Sequence, residues 1–313
     1  MKLLIHIGYP KTASSWLQKS IFNNKDLGVV APWGQGKQAV EAINYFYYPD
    51  DLNFTVADTY CHFLPGIEQA NLQNLVPILS HEYLSVRIGA ISYPKLVADR
   101  LAQVFPEAKI LLFIREQKKI ILSTYQEYIK NQGVQTLEQA LDENNYTDGK
   151  LPAVRPSLYK YDVLISYYQQ LFGKDQVLVI PFELFKSNNL DVVIKILDFV
   201  DAKYESNSLS FIDTKSSINS SYKLAGIPIR RKISQLVGQQ EVDNSRRNSR
   251  IIFFNRVNKF INYFLPEALE EKQKKYLEKV VKQYVKDMFN ESNQRTSELI
   301  GVDLAKLGYS ISS

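Results

Sequence analysis

A lysine and three hydroxyl side chains occupy a short turn near the start of the sequence. They lie between an apolar run over residues 2–7 and a stretch with helical spacing, and they are Lys11, Thr12, Ser14 and Ser15. The free N–H groups and the dipole of a helix N-terminus attract anions, and a lysine adds a full positive charge. Small hydroxyl side chains cap such a turn and donate to phosphate oxygens. The turn therefore predicts an anion site; the simpler alternative is a solvated loop.

A second set of polar side chains follows the apolar run at residues 109–114. Arg115 ends this run, and Ser123 comes eight positions later in a stretch of helical spacing, with Tyr125 close behind. A guanidinium group makes two parallel, charge-assisted hydrogen bonds to a terminal phosphate, and a serine adds a third. The alternative is a strand-end arginine and a helical serine on an exposed face, which is a common arrangement.

His81 and Glu82 follow a third apolar run, residues 76–80, and are candidates for a general base. Open α/β sheets bind ligands beyond the carboxyl ends of their strands, so both residues are expected near the anion site. Neighbours on an extended segment point in opposite directions, so we expect only one of them to face the substrate. The sequence leaves this choice open. His6, inside the first apolar run, is predicted to be a core histidine.

Short apolar runs alternate with stretches of helical spacing along the first two thirds of the sequence. The runs are residues 2–7, 76–80, 109–114 and 176–181, and the helical stretches are 14–24, 94–105, 118–130 and 156–172. This alternation predicts an α/β fold with a central parallel sheet flanked by helices.

The pattern changes after residue 201. Residues 203–250 are polar and loop-like, and residues 251–307 are mostly helical in spacing, most clearly over 265–289. We therefore expect one domain over 1–313, with an α/β core at 1–201 and a loop-rich, helical portion at 202–313. Residues 32–75 show no clear pattern.

Composition excludes several classes of protein. The chain has 313 residues, 45% hydrophobic and 23% charged, with a net charge of +5, which indicates an ordinary globular protein and no nucleic-acid partner. Cys61 is the single cysteine, so an intrachain disulfide is impossible, and the scattered histidines predict no metal site. No apolar stretch has the length of a membrane span or the flanks of a signal peptide, so we expect a soluble, cytoplasmic protein.

The first turn resembles the 5′-phosphosulfate loop of the sulfotransferases, usually Pro-Lys-[Ser/Thr]-Gly-Thr-Thr. The matching residues are Pro10, Lys11, Thr12, Ala13, Ser14, Ser15 and Trp16. Arg115 and Ser123 likewise resemble the family's 3′-phosphate site. The family's donor is 3′-phosphoadenosine 5′-phosphosulfate (PAPS), and its fold is similar to that of the P-loop NTPases. A late loop closes over the nucleotide in relatives, and here Lys215 and Asn219 are its candidate contacts.

Ala13 departs from the family pattern, because it stands where the family usually has glycine. A left-handed backbone there would cost alanine about 1 kcal/mol. We expect Ala13 to lie already in the helical turn, where alanine carries no such cost.

The resemblance implies an enzyme that transfers a sulfuryl group from PAPS to a hydroxyl acceptor, with adenosine 3′,5′-bisphosphate as the product. Lys11 would neutralise the leaving oxygen, and His81 or Glu82 would accept the proton. A glycan or glycolipid acceptor is favoured. The alternatives are a P-loop-like kinase, disfavoured because the Walker A spacing G-x-x-x-x-G-K-[ST] is absent, and a non-catalytic nucleotide- or anion-binding module. The acceptor's identity and the oligomeric state are not evident from the sequence.

Overall fold

Five parallel strands form the centre of the protein. The computed structural model describes residues 2–86, 92–144, 154–212, 223–237 and 265–312. The strands are β1 (Leu4–His6), β2 (Val29–Val30), β3 (Val76–Ser80), β4 (Lys109–Ile114) and β5 (Val177–Pro181). Their order in the sheet is β2-β3-β1-β4-β5, and every neighbouring pair is parallel. β1 therefore lies between β3 and β4, whose carboxyl ends carry the other candidate site residues.

Both faces of the sheet are buried, as expected of parallel strands. Along β1, Leu4 packs into one hydrophobic cluster and Ile5 into the other. The same alternation continues along β4, where Leu111 and Leu112 belong to opposite clusters. Strands that are apolar on both sides read in the sequence as continuous apolar runs.

Helices cover the two faces. In chain order they are α1 (Ser14–Ser20), α2 (Lys37–Tyr47), α3 (Val56–Leu72), α4 (Pro94–Val104), α5 (Gln117–Lys130), α6 (Leu137–Leu141), α7 (Tyr161–Phe172), α8 (Phe182–Ser187), α9 (Asn189–Phe199), α10 (Ile227–Val237), α11 (Glu267–Val285) and α12 (Asn290–Ile300). α1, α8 and α9 pack on one face. α2 to α5, α7 and α11 contribute to the larger cluster on the other.

The structure confirms the predicted sheet and corrects parts of the helix assignment. All four predicted strands are present, whereas the two-residue β2 is too short to leave a pattern. The predicted loop over 203–250 is wrong at α10. The stretch 156–172 begins with a 3₁₀ turn at Pro156–Tyr159 before α7 starts. The unassigned residues 32–75 contain α2 and α3.

The C-terminal helix α12 packs against α7 and fixes the start of α5. Asn293 of α12 is fully buried. Its side-chain oxygen accepts a hydrogen bond from the Gln117 amide at 2.6 Å, and its own amide donates back at 3.2 Å. Arg295 adds an ion pair to Asp162 of α7 at 2.6 Å. Because Gln117 is the first residue of α5, these contacts support the turn that carries Arg115.

In the part of the chain that the structure describes, none of the helices combines the length and apolar character needed to cross a membrane. The same residues contain no group of three or more His, Cys, Asp or Glu side chains placed to hold a metal ion.

Candidate active site

The loop between β1 and α1 turns through two residues with left-handed backbone. Lys11 has φ 71° and Ala13 has φ 74°. Ala13 is the residue before the first turn of α1, and its carbonyl accepts from the N–H groups of Trp16 and Leu17 at 2.9 and 3.1 Å. The expectation that Ala13 lies in the helical turn is therefore wrong: the chain reverses direction at this position. Alanine occupies a conformation that favours glycine.

Within the described part of the chain, no side chain caps the start of α1. Thr12 is fully buried and donates its hydroxyl to the Tyr9 carbonyl, so it shapes the loop from inside. Ser14 is buried, and its hydroxyl has no hydrogen-bond partner among the described residues. Ser15 is exposed. The first N–H groups of a helix have no partner within the helix, and here one buried hydroxyl beside them also lacks a partner among the described residues, as suits an anion-binding helix start.

Pro10 and Trp16 hold the two ends of this loop in the core. Pro10 is buried, and the Trp16 ring packs edge-on against Phe185 of α8, with 5.2 Å between ring centroids. At Gly8 an added Cβ would lie 2.5 Å from Nε2 of His6, so no larger residue fits there without displacing the His6 ring. Packing beneath the loop therefore restricts its path on both sides.

Arg115 joins the two predicted anion-binding segments. Its Nη1 donates to the Lys11 carbonyl at 3.0 Å, although the two residues are 104 positions apart. Its guanidinium carbon lies 4.9 Å from the centroid of the Phe182 ring. Its Nε is buried without a partner among the described residues. Burial lowers the pKa of Arg115, while the nearby carboxylate of Glu183 acts in the opposite direction.

Hydrogen bonds also fix the backbone around Arg115. The Tyr161 hydroxyl donates to the Arg115 carbonyl at 2.6 Å. Glu183 accepts from the N–H of Glu116 at 3.2 Å and from the Tyr309 hydroxyl at 3.0 Å. The position of the guanidinium is thus set by α7, α8 and the C-terminal segment together. Tyr161 contributes to the site by this contact, a role that none of the sequence motifs indicates.

Lys11 makes an ion pair that sequence reasoning missed. Its Nζ lies 3.3 Å from Oε2 of Glu127 on α5, and Lys130 lies 3.5 Å from the other carboxylate oxygen. Burial acts to raise the pKa of Glu127, but the charges of Lys11 and Lys130 outweigh it and hold that pKa below its ordinary value. The sequence did contain a signal that Glu127 lies near the site, because Glu127 is four positions after Ser123 and so shares its helix face. Ser123 itself is half-buried.

His81 and Glu82 occupy different environments at the end of β3. His81 is 5% exposed. Its backbone N–H donates to the His6 carbonyl at 3.2 Å and so extends the pairing of β1 and β3. Its Nδ1 accepts from the N–H of Tyr83 at 3.1 Å. Glu82 begins a 3₁₀ turn, Glu82–Leu84, and is half-exposed. The Ser85 hydroxyl donates to the Gly8 carbonyl at 3.1 Å, which ties this turn to the first loop.

His6 is a core histidine, as predicted. It is fully buried, and its Nδ1 shares a hydrogen bond of 2.8 Å with the Ser80 hydroxyl. Gln18 of α1 donates to the same hydroxyl at 3.1 Å. Burial, and next the electrostatic effect of the neighbouring His81, lower the pKa of His6 to about 3. The ring is therefore neutral near pH 7 and connects β1, β3 and α1.

The remaining predicted contacts, Lys215 and Asn219, lie outside the described residues. Of the others, the structure places Lys11 and Arg115 in direct contact. It ties the turn carrying His81 and Glu82 to the same loop. A parallel sheet with an uncapped helix start, a lysine and a partly desolvated arginine at one edge defines an α/β protein with a candidate anion-binding site.

A family comparison identifies that class more closely. The family model described as the sulfotransferase domain matches residues 2–289, and the chain belongs to the sulfotransferase family. The recognition made from the two loops and the predicted fold class are both confirmed. No curated protein matches the chain.

Several solved structures are similar to this chain. A sulfotransferase from Alicyclobacillus acidocaldarius is 19% identical over 77% of this chain and 97% of its own, with a TM-score of 0.49. The sulfotransferase domain of the Synechococcus PCC 7002 olefin synthase is 13% identical over 84% and 95%, with a TM-score of 0.43. Mouse sulfotransferase SULT7A1, complexed with PAP, is 13% identical over 95% and 88%, with a TM-score of 0.32.

Proposed function

We propose that this sulfotransferase uses PAPS as its donor and transfers the sulfuryl group to a hydroxyl of an acceptor. The observation that carries the proposal is the hydrogen bond of 3.0 Å from Arg115 to the Lys11 carbonyl. It brings the two segments that would bind the two ends of a nucleotide bisphosphate into one site. A donor with negative groups at both its 5′ and 3′ positions suits such a pair.

The unsatisfied donors of the site fit an anionic nucleotide. The hydroxyl of Ser14 and Nε of Arg115 are buried without partners among the described residues, and a buried polar group without a partner is costly. An anion accepting from both would remove that cost. In this proposal the loop of residues 10–16 holds the 5′-phosphosulfate, with the N–H groups of residues 11–15 as donors, and Arg115 and Ser123 hold the 3′-phosphate. Lys215 and Asn219 remain candidate contacts of a closing loop.

The reaction needs alignment, charge neutralisation and removal of one proton. PAPS supplies the activated sulfuryl group. The acceptor oxygen forms a bond to sulfur while the bond from sulfur to the bridging oxygen breaks, and adenosine 3′,5′-bisphosphate leaves with that electron pair. Lys11 neutralises the charge that develops on the leaving oxygen. A general base takes the acceptor's hydroxyl proton.

Of the two candidate bases, we assign the role to Glu82. A neutral histidine that accepts at Nδ1 carries its proton on Nε2, and His81 accepts at Nδ1 from Tyr83. Its Nε2 is then a donor and takes no further proton while that tautomer persists. Glu82 is half-exposed, and a carboxylate accepts protons without a tautomer change. His81 then has the role of holding the turn that carries Glu82.

The proposed acceptor is a glycan or glycolipid. This choice rests on the resemblance of the chain to carbohydrate-acting members of the family. Ser80-His81-Glu82 resembles the Ser-x-Glu of bacterial members, and several carbohydrate-acting and tyrosine-acting members use a glutamate here. The proposed location is the cytoplasm, in keeping with the single cysteine, so the acceptor would be cytosolic or presented at the inner leaflet.

Calorimetry and a turnover assay test the proposal. We expect adenosine 3′,5′-bisphosphate to bind more tightly than ATP. Lys11→Ala should fold normally, because alanine keeps the backbone contact with Arg115, yet turnover from PAPS to an accepted glycan should fall at least about 100-fold. Lys195→Ala, at an exposed position of α9, is the control for loss of one positive charge.

Three results would count against the proposal. Tighter binding of ATP would favour a P-loop-like kinase. Tight bisphosphate binding without sulfate transfer to any member of a broad glycan panel would favour a non-catalytic module. A Lys11→Ala variant that keeps most of its turnover would remove Lys11 from the mechanism.

A further inference from the structure

The carboxylate of Glu127 lies inside the proposed donor site rather than at its margin. Its Oε2 is 3.3 Å from Nζ of Lys11, the group proposed to meet the leaving oxygen. A donor oxygen bound to that Nζ at about 3 Å would lie no more than roughly 6 Å from the carboxylate. Two negative groups at that separation repel each other, and the site is partly shielded from solvent, which reduces screening.

The surroundings keep Glu127 charged and in place. Nζ of Lys130, three positions after Glu127 on α5, lies 3.5 Å from Oε1. The side chains of Glu127 and Lys11 are only 26% and 30% exposed. The two cations lower the pKa of Glu127 against the effect of burial, so the carboxylate stays ionised near neutral pH. Side chains half-enclosed in this way keep a defined geometry.

Arg115 and Glu127 both restrain Lys11, and both belong to one continuous segment, Arg115 directly after β4 and Glu127 on α5. Arg115, at the end of β4, holds the Lys11 backbone carbonyl, and Glu127, on the helix that follows, holds the Lys11 ammonium group. The first contact supports binding of an anion, because it fixes the loop. The second opposes it, because a negative group already shares the ammonium charge.

We infer that Glu127 is a positioning residue that competes with the donor and the product for Lys11, and so weakens bisphosphate binding and speeds product release. The inference rests on the proposed function, since it requires a bisphosphate nucleotide on Lys11. The chemical class it concerns is that nucleotide, not the acceptor.

The test is the affinity for adenosine 3′,5′-bisphosphate, measured by calorimetry on the full chain. Glu127→Gln keeps the size of the side chain and removes its charge. We expect its affinity to rise roughly three- to tenfold, the range for a half-enclosed ion pair. The dissociation rate of the bisphosphate, measured by rapid mixing, should fall by a similar factor. Glu127→Asp, which keeps the charge, should stay near the unsubstituted protein.

A double-mutant cycle shows whether the effect acts through Lys11. In a Lys11→Met background only the direct repulsion between the carboxylate and the bound anion remains, so Glu127→Gln should raise the affinity by a clearly smaller factor than it does with Lys11 present. Glu68→Gln, at an exposed position of α3, removes an equal charge away from the site and should leave the affinity unchanged.

Several results would overturn the inference. These are unchanged or weaker binding by Glu127→Gln in a variant that melts normally, an equal gain in the Lys11→Met background, and an equal gain with Glu68→Gln. All of them leave the proposed function standing if the unsubstituted protein binds the bisphosphate. Absence of that binding would remove the proposed function and, with it, this inference.

Discussion

His6 shows how one side chain links strands and site in this protein. Its ring forms a hydrogen bond with the Ser80 hydroxyl, and its backbone carbonyl accepts a hydrogen bond from the backbone N–H of His81. Its Nε2 lies directly beneath Gly8. These contacts join the loop that would bind the donor to the strand end that carries the proposed base. They depend on a neutral imidazole, because the ring is fully buried.

The titration of His6 gives a prediction about stability. Burial lowers its pKa from 6.5 to about 3. Between pH 6.5 and pH 3 the unfolded chain therefore binds a proton at His6 that the folded protein does not. The contribution of the neutral His6 ring to the free energy of unfolding is therefore fully present above pH 6.5 and is lost as the pH falls towards 3, by up to about 5 kcal/mol. His6→Gln should make the decline between pH 6.5 and 4 shallower in urea unfolding, even if the variant is less stable at pH 7.

The matched control is His62→Gln, because His62 is exposed on α3 and stacks on Tyr45 with 4.0 Å between ring centroids. It should keep the acid dependence of the unsubstituted protein. Identical pH profiles for all three proteins would show that the proton uptake lies elsewhere.

At the scale of secondary-structure elements, the first loop and α1 depend on the backbone of Ala13. Alanine at φ 74° loses about 1–2 kcal/mol, and replacement by glycine recovers it. Glycine gives up a buried methyl group, worth about 0.8 kcal/mol, and about as much again in chain entropy. Ala13→Gly should therefore change the free energy of unfolding by less than about 1 kcal/mol, measured by urea denaturation.

Ala98→Gly provides the comparison, because Ala98 is fully buried within α4 and its backbone is helical. There glycine loses both the methyl group and helix propensity, so the variant should be about 1.5–2 kcal/mol less stable. Equal losses at the two positions would contradict a left-handed backbone at Ala13.

Prediction of the elements from sequence succeeded where one pattern dominated. The strands of a two-sided parallel sheet are continuous apolar runs, and all four that were predicted are present. α2 was detectable in principle, since its buried residues Ala39, Ala42, Ile43 and Phe46 follow helical spacing. The left-handed conformation of Ala13 was indicated only by the family's usual glycine at that position, because alanine itself does not reveal a positive φ imposed by the surrounding chain.

At the scale of the whole molecule, the site is assembled by sheet order. The loops after β1 and β4 meet because those strands are neighbours, a fact that no local pattern contains. The sequence could name Lys11 and Arg115, but their contact and that of Lys11 with Glu127 depend on how distant segments pack. The C-terminal helix α12 likewise reaches the site only through tertiary contacts.

The contacts of Asn293 predict that α12 stabilises the core. Asn293→Ala would leave the buried Gln117 amide without its partner at 2.6 Å and would free the Ser310 carbonyl. Unsatisfied buried groups of this kind cost roughly 1–3 kcal/mol, which we expect as the loss in the free energy of unfolding. Gln294→Ala, at the next and exposed position, should change it by less than about 0.5 kcal/mol. Similar losses in both variants would show that the buried amide pair adds nothing.

The alternating left-handed residues of the first loop also bear on protein engineering. Neither lysine nor alanine selects such a backbone by itself, so the surrounding strands, Arg115 and the buried threonine must enforce it. Residues 8–16 transplanted alone into an unrelated strand–helix junction should therefore adopt a different backbone conformation and lose the proposed anion-binding geometry. A successful graft would have to carry the end of the adjacent strand along with it.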